Sequence, residues 1–245
     1  MVLIMKPDPM KLVNRIDLAT PLIGFYDTPD PNPFKPLIKP GKKGSACIFL
    51  FYKKWLSGKT LHLTKDNYGC GGCGHAVFGF EPRSRNDYID FLIDEIGFKA
   101  SRELASLWLD YYKPYRPNHE NIMIGPLNDD QYQYLKSVTF YVNPDQLGAL
   151  IWGANHYNSP TDPPTVITSF GSGCMGVIPM FEDLNVPQAI IGATDISVRQ
   201  YLPPNLLAFT VTTPMFEQLC GLDEKSFLYT SFVDKLKRIR GKQPS

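Results

Sequence analysis

The chain has 245 residues, 43% of them hydrophobic and 13% aromatic, which is enough apolar material for a packed core and too much for a disordered chain. Lys and Arg number 25 against 24 Asp and Glu, a net charge of +1, so no whole-chain field favours nucleic acid, anionic lipid or acidic substrates. No run approaches the roughly 18 apolar residues of a membrane span, and neither a nucleic-acid nor a membrane partner is expected.

The start, Met1 to Pro7, has no basic flank, long apolar stretch or small-residue cleavage site of a secretory signal, and a cytoplasmic protein is expected. Pro21 to Tyr26 reads as a strand, followed by the turn cluster Asp27-Thr-Pro-Asp-Pro-Asn-Pro33. Ala46, Cys47, Leu50, Phe51 and Trp55 fit one face of a helix, although Ile48 and Phe49 leave a buried strand open as the alternative. Thr60 to Thr64 alternates as a strand does. Asn86 or Asp87 is positioned to cap a helix through about Ile96, and Ser101 caps another carrying Leu104, Leu107, Trp108 and Tyr111. Val138 to Val142 is a strand by composition. Asn143-Pro144-Asp145 supplies the cap, first-turn proline and early acid of a helix start. Short strands follow at Thr165–Thr168, Ala189–Gly192 and Leu206–Val211. Pro214 opens a further helix, and residues 225–240 read as a basic C-terminal helix.

An offset of 101 residues lays Gly72-Cys73 on Gly173-Cys174, Phe80-Glu81 on Phe181-Glu182, and 46–55 on 147–156. The expected architecture is therefore a mixed α/β or α+β fold of two similar halves, 21–112 and 120–220, arising by internal duplication and packed as one globular domain over 1–245.

Two segments carry the chemistry: Tyr68-Gly-Cys-Gly-Gly-Cys-Gly-His75 and Phe170-Gly-Ser-Gly-Cys174-Met-Gly176. Both set thiols among glycines, where the backbone can approach a ligand closely. In a reducing compartment five cysteines are expected to be free, metal-bound or catalytic rather than in structural disulfides. Thiolates favour iron–sulfur clusters, zinc or copper(I) over hard cations. Cys47, Cys70, Cys73 and Cys174 suffice for a four-thiolate shell, though their spacing matches neither a zinc ribbon nor a compact ferredoxin run. Glycine N–H groups, those of Gly72 and Gly173 among them, would bond cluster sulfides and so favour a cluster over zinc. Taken singly, Cys47 reads as a small apolar residue on a helix face and Cys220 as packing.

Cys-x-x-Cys-Gly-His has one residue too many for c-type haem attachment, and redox dithiol chemistry at Cys70 and Cys73 is the next alternative. His62, His119 and His156 read as ordinary polar residues. Asp195 and Arg199, four apart with Thr194 as cap, read either as a structural ion pair or as a site where Arg199 binds a carboxylate or phosphate. The glycine loops match no nucleotide-binding signature.

The strings Ser45-Ala-Cys47, Gly58-Lys-Thr-Leu61, Tyr68-Gly-Cys70-Gly-Gly, Val142-Asn-Pro-Asp-Gln-Leu147, Gly173-Cys174, Ala193-Thr-Asp-Ile-Ser-Val-Arg199 and Leu207 to Phe216 resemble the archaeal conserved region family, domain of unknown function 169, from about Pro21 to Gln218. The resemblance implies no particular activity. It does imply that Cys47, Cys70 and Cys174 are the family-like cysteines, with Cys73 standing where the pattern has glycine. The expected function is a thiolate-metal protein, with an iron–sulfur cluster ahead of zinc, and an oxidoreductase acting on a small molecule as the enzyme class that would fit. The alternative is a non-catalytic small-ligand module with incidental cysteines.

Overall fold

A computed structural model describes residues 7–42, 46–70, 77–78, 80, 84–111, 115–159, 161–171, 173–177 and 184–241. Among them the strands form one eight-stranded sheet: β1 (Ile23–Thr28), β2 (Leu37–Ile38), β3 (Thr60–Leu63), β4 (Asn121–Pro126), β5 (Leu135–Val142), β6 (Val166–Thr168), β7 (Ala189–Gly192) and β8 (Leu207–Thr212), in the order β2-β3-β4-β1-β5-β8-β7-β6. The outermost pairs, β2 with β3 and β6 with β7, are parallel, and every other pairing is antiparallel.

Each half of the sheet thus has the same order and directions, with β1 and β5 meeting at the centre. The gap-free offset of 101 does not follow this likeness: 46–55 lies between the second and third strands of its half, whereas 147–156 lies between the first and second of the other.

Side chains alternate across the pleat and supply two apolar layers. One contains Ile23, Phe25, Leu61, Ile122, Ile124, Tyr141 and Ala208; the other contains Tyr26, Met123, Val138, Phe140, Val142, Phe209 and Val211. Burial on both faces explains why these strands read as nearly unbroken apolar runs. The second layer is covered by α1 (Met10–Arg15), α5 (Pro144–Ala154) and α7 (Thr213–Cys220) through Leu12, Leu150, Phe216 and Leu219. In α5 the Asn143 side chain accepts the Gln146 N–H while Gln146 reaches back to the Asn143 N–H, so the cap expected at Asn143 is a reciprocal box.

The first layer is covered by a 3-10 turn (Ile48–Phe51) running into α2 (Tyr52–Leu56), by α3 (Arg85–Asp90), by α4 (Arg102–Tyr111) and by α6 (Ile196–Arg199). Ser84, rather than Asn86 or Asp87, caps α3, and a π-helical segment, Phe91–Glu95, extends it. The Ser101 hydroxyl accepts the Leu104 N–H as expected. The C-terminal α8 (Ser231–Arg240) lies outside both layers and buries no residue. No helix of the described residues is long and apolar enough to cross a membrane.

Candidate functional site around Cys47, Cys70 and Cys174

Three of the cysteines adjoin the first apolar layer, and sheet geometry puts them there. Cys47 has extended backbone immediately before the 3-10 turn. The chain leaving β3 runs against that entry so closely that a Cβ on Gly69 would stand 2.7 Å from the Ala46 carbonyl oxygen, and the next residue, Cys70, becomes a charge neighbour of Cys47. Burial pushes the Cys47 thiol up to about 11; the Phe49 N–H bonded to it pulls the other way, and Cys70 and Asp195 add to the rise. Cys47 is therefore a neutral thiol near pH 7. Cys70 is also free and half-buried.

Cys174 sits on a 3-10 turn, Gly173–Gly176, docked on a polar stripe of the sheet. The Ser137 hydroxyl donates to the Val177 carbonyl at 3.2 Å, the Thr210 hydroxyl donates to that of Gly176, and Thr139 and Thr210 join hydroxyls at 2.8 Å. These bonds satisfy the turn's carbonyls where water is excluded. Glycine is required by packing: a Cβ on Gly173 would meet Val198 at 2.7 Å and Phe49 at 3.1 Å, and one on Gly176 would meet the Gly192 Cα at 2.5 Å. The Gly173 N–H, which the cluster expectation gave to a cofactor, donates to Asp195 Oδ2 at 2.8 Å.

Cys174 is 1% exposed and its sulfur is in a disulfide, which corrects the expectation of free or metal-bound thiols at this position. Spacing along the chain does not disclose which sulfurs the fold brings together. Gly72, Cys73 and His75 lie outside the described residues.

Asp195 caps α6 through Oδ1, which accepts the Ser197 N–H at 2.9 Å, so the cap is one residue later than the expected Thr194. The Arg199 guanidinium is turned to backbone: one terminal nitrogen donates to the carbonyls of Ala193 and Leu206, the other to those of Pro203 and Pro204. These contacts fasten the 199–206 segment, and no ion pair with Asp195 accompanies them.

Beside Cys47 the layer holds an aromatic group whose polar atoms are not matched. Tyr141 lies edge-on to Tyr52 at 4.9 Å and is stacked near Trp55 at 6.5 Å between centroids. Burial holds the Tyr141 phenol well above its usual range, with the neighbouring Tyr52 and Cys47 adding to the effect. Both the Tyr141 hydroxyl and the Trp55 indole N–H are fully buried without a hydrogen-bond partner among the described residues. An unsatisfied buried donor costs about 1–3 kcal/mol, and native proteins rarely leave two on adjacent rings. Apolar runs gave no sequence signal for either.

Asp27 was also hidden, inside what read as a turn cluster. Its carboxylate is fully buried on β1 and accepts the Tyr115 hydroxyl at 2.8 Å, the N–H groups of Asn118 and His119, and His119 Nδ1 at 3.0 Å. The Tyr115 N–H in turn donates to the Val77 carbonyl at 2.8 Å, which fixes the chain just beyond the first cysteine loop. His62 bonds Asn121 at 2.8 Å through Nε2 and leaves Nδ1 buried without a partner. Cys220 packs on the opposite face of the sheet from Cys47, Cys70 and Cys174, and burial raises it to about 12.

Among the described residues no group of three or more His, Cys, Asp or Glu side chains is placed to hold a metal ion. A family model described as uncharacterised ArCR, DUF169, matches residues 11–221. No curated protein and no solved structure matches the chain.

Proposed function

The chain belongs to this family, uncharacterised ArCR, and on that premise we propose that it binds a small polar molecule at the thiol-flanked aromatic floor formed by Cys47, Cys70, Trp55 and Tyr141. One observation carries the reading: two fully buried donors, on neighbouring rings beside the free Cys47 thiol, have no hydrogen-bond partner among the described residues. A ligand offering acceptor atoms to the hydroxyl and the indole N–H would remove that cost. The neutral Cys47 thiol suits contact with such a ligand better than attack on it, because nucleophilic power resides in the thiolate.

Native mass spectrometry of protein purified without oxygen tests this. The expected result is a non-covalent organic adduct whose occupancy falls about tenfold in Tyr141→Phe and in Trp55→Phe, the loss of one hydrogen bond each. No adduct in the wild type, with both variants at least as stable as it, would mean that the floor holds nothing but water.

A second reading keeps a metal. Cys47, Cys70 and Cys174 adjoin the same apolar layer, and with Cys174 reduced they offer three thiols, to which Cys73 would add a fourth. An iron–sulfur cluster remains ahead of zinc, and an oxidoreductase is the enzyme class it would serve. Against it stand the Cys174 disulfide, the high Cys47 thiol and the Gly173 N–H already engaged by Asp195. Iron and acid-labile sulfide at near-stoichiometric level in anaerobically purified protein would favour this reading over the first.

A further inference from the structure

The whole-chain balance of +1 conceals a local surplus on α8, which carries Lys235, Lys237, Arg238 and Arg240 against Asp234 alone. The helix follows the family-matched residues and is attached at the surface by charge: Arg15 pairs with Asp234, Lys237 with Asp17 at 2.9 Å, and Arg240 with Asp145. Lys235 and Arg238 make no ion pair with any described residue.

Alongside these cations runs an apolar strip left largely open to solvent. Phe232 is 69% exposed, and Leu236 and Ile239 continue from it at helical spacing, also exposed. Phe227 joins Phe232 to Trp152 of α5, with centroids 6.1 Å and 4.4 Å apart and rings nearly parallel. Trp152 is itself 60% exposed. Between α8, along its length, and the first turns of α5 lies an open groove of about 560 Å³, with Phe232, Val233 and Leu236 in its wall. A helix with an apolar strip, flanking cations and an aromatic shelf is built for a surface that is both apolar and negative. An acidic protein partner would match the charges, but it would not by itself match a row of exposed Phe, Leu, Ile and Trp.

We propose that α8 and the Trp152 shelf form a peripheral docking face for an anionic lipid bilayer, with Phe232, Leu236 and Ile239 entering the headgroup boundary and Lys235 and Arg238 meeting the negative surface. Nothing spans the bilayer in this arrangement.

Flotation of the full chain with vesicles tests it. The protein should float with vesicles of equimolar phosphatidylcholine and phosphatidylglycerol, on the order of tenfold more than with pure phosphatidylcholine, and should be released by high salt. The paired substitution Lys235→Gln/Arg238→Gln should remove the preference for anionic vesicles, and Phe232→Ser/Ile239→Ser should remove flotation. Lys235→Gln/Arg238→Gln should leave the melting temperature unchanged, and Phe232→Ser/Ile239→Ser should lower it only slightly, through the Phe227–Phe232 stack. No flotation with either vesicle, equal flotation with both, or flotation retained by Phe232→Ser/Ile239→Ser would overturn the proposal. So would a dimer in gel filtration that Phe232→Ser/Ile239→Ser dissociates, since the strip would then be a contact between copies.

Discussion

The carboxylate of Asp195 ties the Cys174 turn to α6: Oδ2 accepts the Gly173 N–H at 2.8 Å, while Oδ1 accepts the Ser197 N–H at 2.9 Å and the Ser197 hydroxyl at 2.7 Å. One side chain therefore caps a helix and sets the position of a disulfide-bearing turn 22 residues earlier in the chain. Asp195→Ala removes both functions and should cost about 2–3 kcal/mol, whereas Asp195→Asn, which keeps an acceptor oxygen, should cost about 1 kcal/mol. Urea titration of the two variants measures the difference. Equal stability of Asp195→Ala and the wild type would show that the turn is held by its other bonds alone.

Gly176 and Gly192 touch backbone to backbone, and a Cβ on either would fall 2.5 Å from the Cα of the other. Neither main chain can yield without lifting the turn from the sheet, so Gly176→Ala and Gly192→Ala should each cost about 3 kcal/mol or more. Gly148, in the middle of α5, has nothing within 4 Å of a built Cβ. Gly148→Ala should stabilise by about 0.5–1 kcal/mol through helix propensity. Thermal melts of the three variants should move in opposite directions.

Alkylation reports the state of Cys47. With its thiol raised from the ordinary 9.0 to about 11, its iodoacetamide rate, followed by peptide mapping in folded protein, should keep climbing to about pH 11. The fold favours the protonated thiol. Its contribution to stability is whole below pH 9.0 and is lost as pH rises through about 11, so the wild type should lose more stability than Cys47→Ser across that window. A rate that levels off near pH 9 would mean that the thiol is wetter than this packing allows.

The disulfide at Cys174 takes two of the five thiols out of reaction. Unfolded, unreduced protein should give three reactive thiols with Ellman's reagent and five after reduction. Protein that carries a cluster would instead show five once the cluster is stripped without oxygen. Cys220→Ala should lower either count by one, leave metal content unchanged and cost about 1 kcal/mol, since it deletes one packed atom on the far face of the sheet.

Local patterns disclosed much of this fold. The Asn143-Pro144 start of α5 and the strands β1, β3, β5, β7 and β8 were readable because neighbours in sequence determine them. The strand β4 escaped, since Asn121-Ile-Met-Ile-Gly-Pro126 ends in two residues that usually break strands. β2 is two residues long, and its pairing with Thr60 and Leu61 is a tertiary event.

The candidate site was half legible. Glycine-flanked thiols announce themselves, but the Asp27 carboxylate gathers donors 88 to 92 residues away, and no local signal encodes such a meeting. The glycines carry a packing role that spacing does not announce: Gly173 and Gly176 look like a ligand cradle in sequence, and in the fold they clear space for Val198, Phe49 and Gly192.

The central position of β5 has a consequence for synthesis. During translation β1 emerges long before residues 121–126 supply β4, and until β5 arrives the inner edge of β1 is an open ladder of backbone donors and acceptors. β5 then exposes its own second edge until residues 207–212 supply β8, which also joins the β6–β7 pair to the rest. The nascent chain therefore carries a sticky edge for nearly its whole length on the ribosome. Release of a chain cut short before β8 would yield a species prone to edge-to-edge association, with folding paced by the last antiparallel pairing.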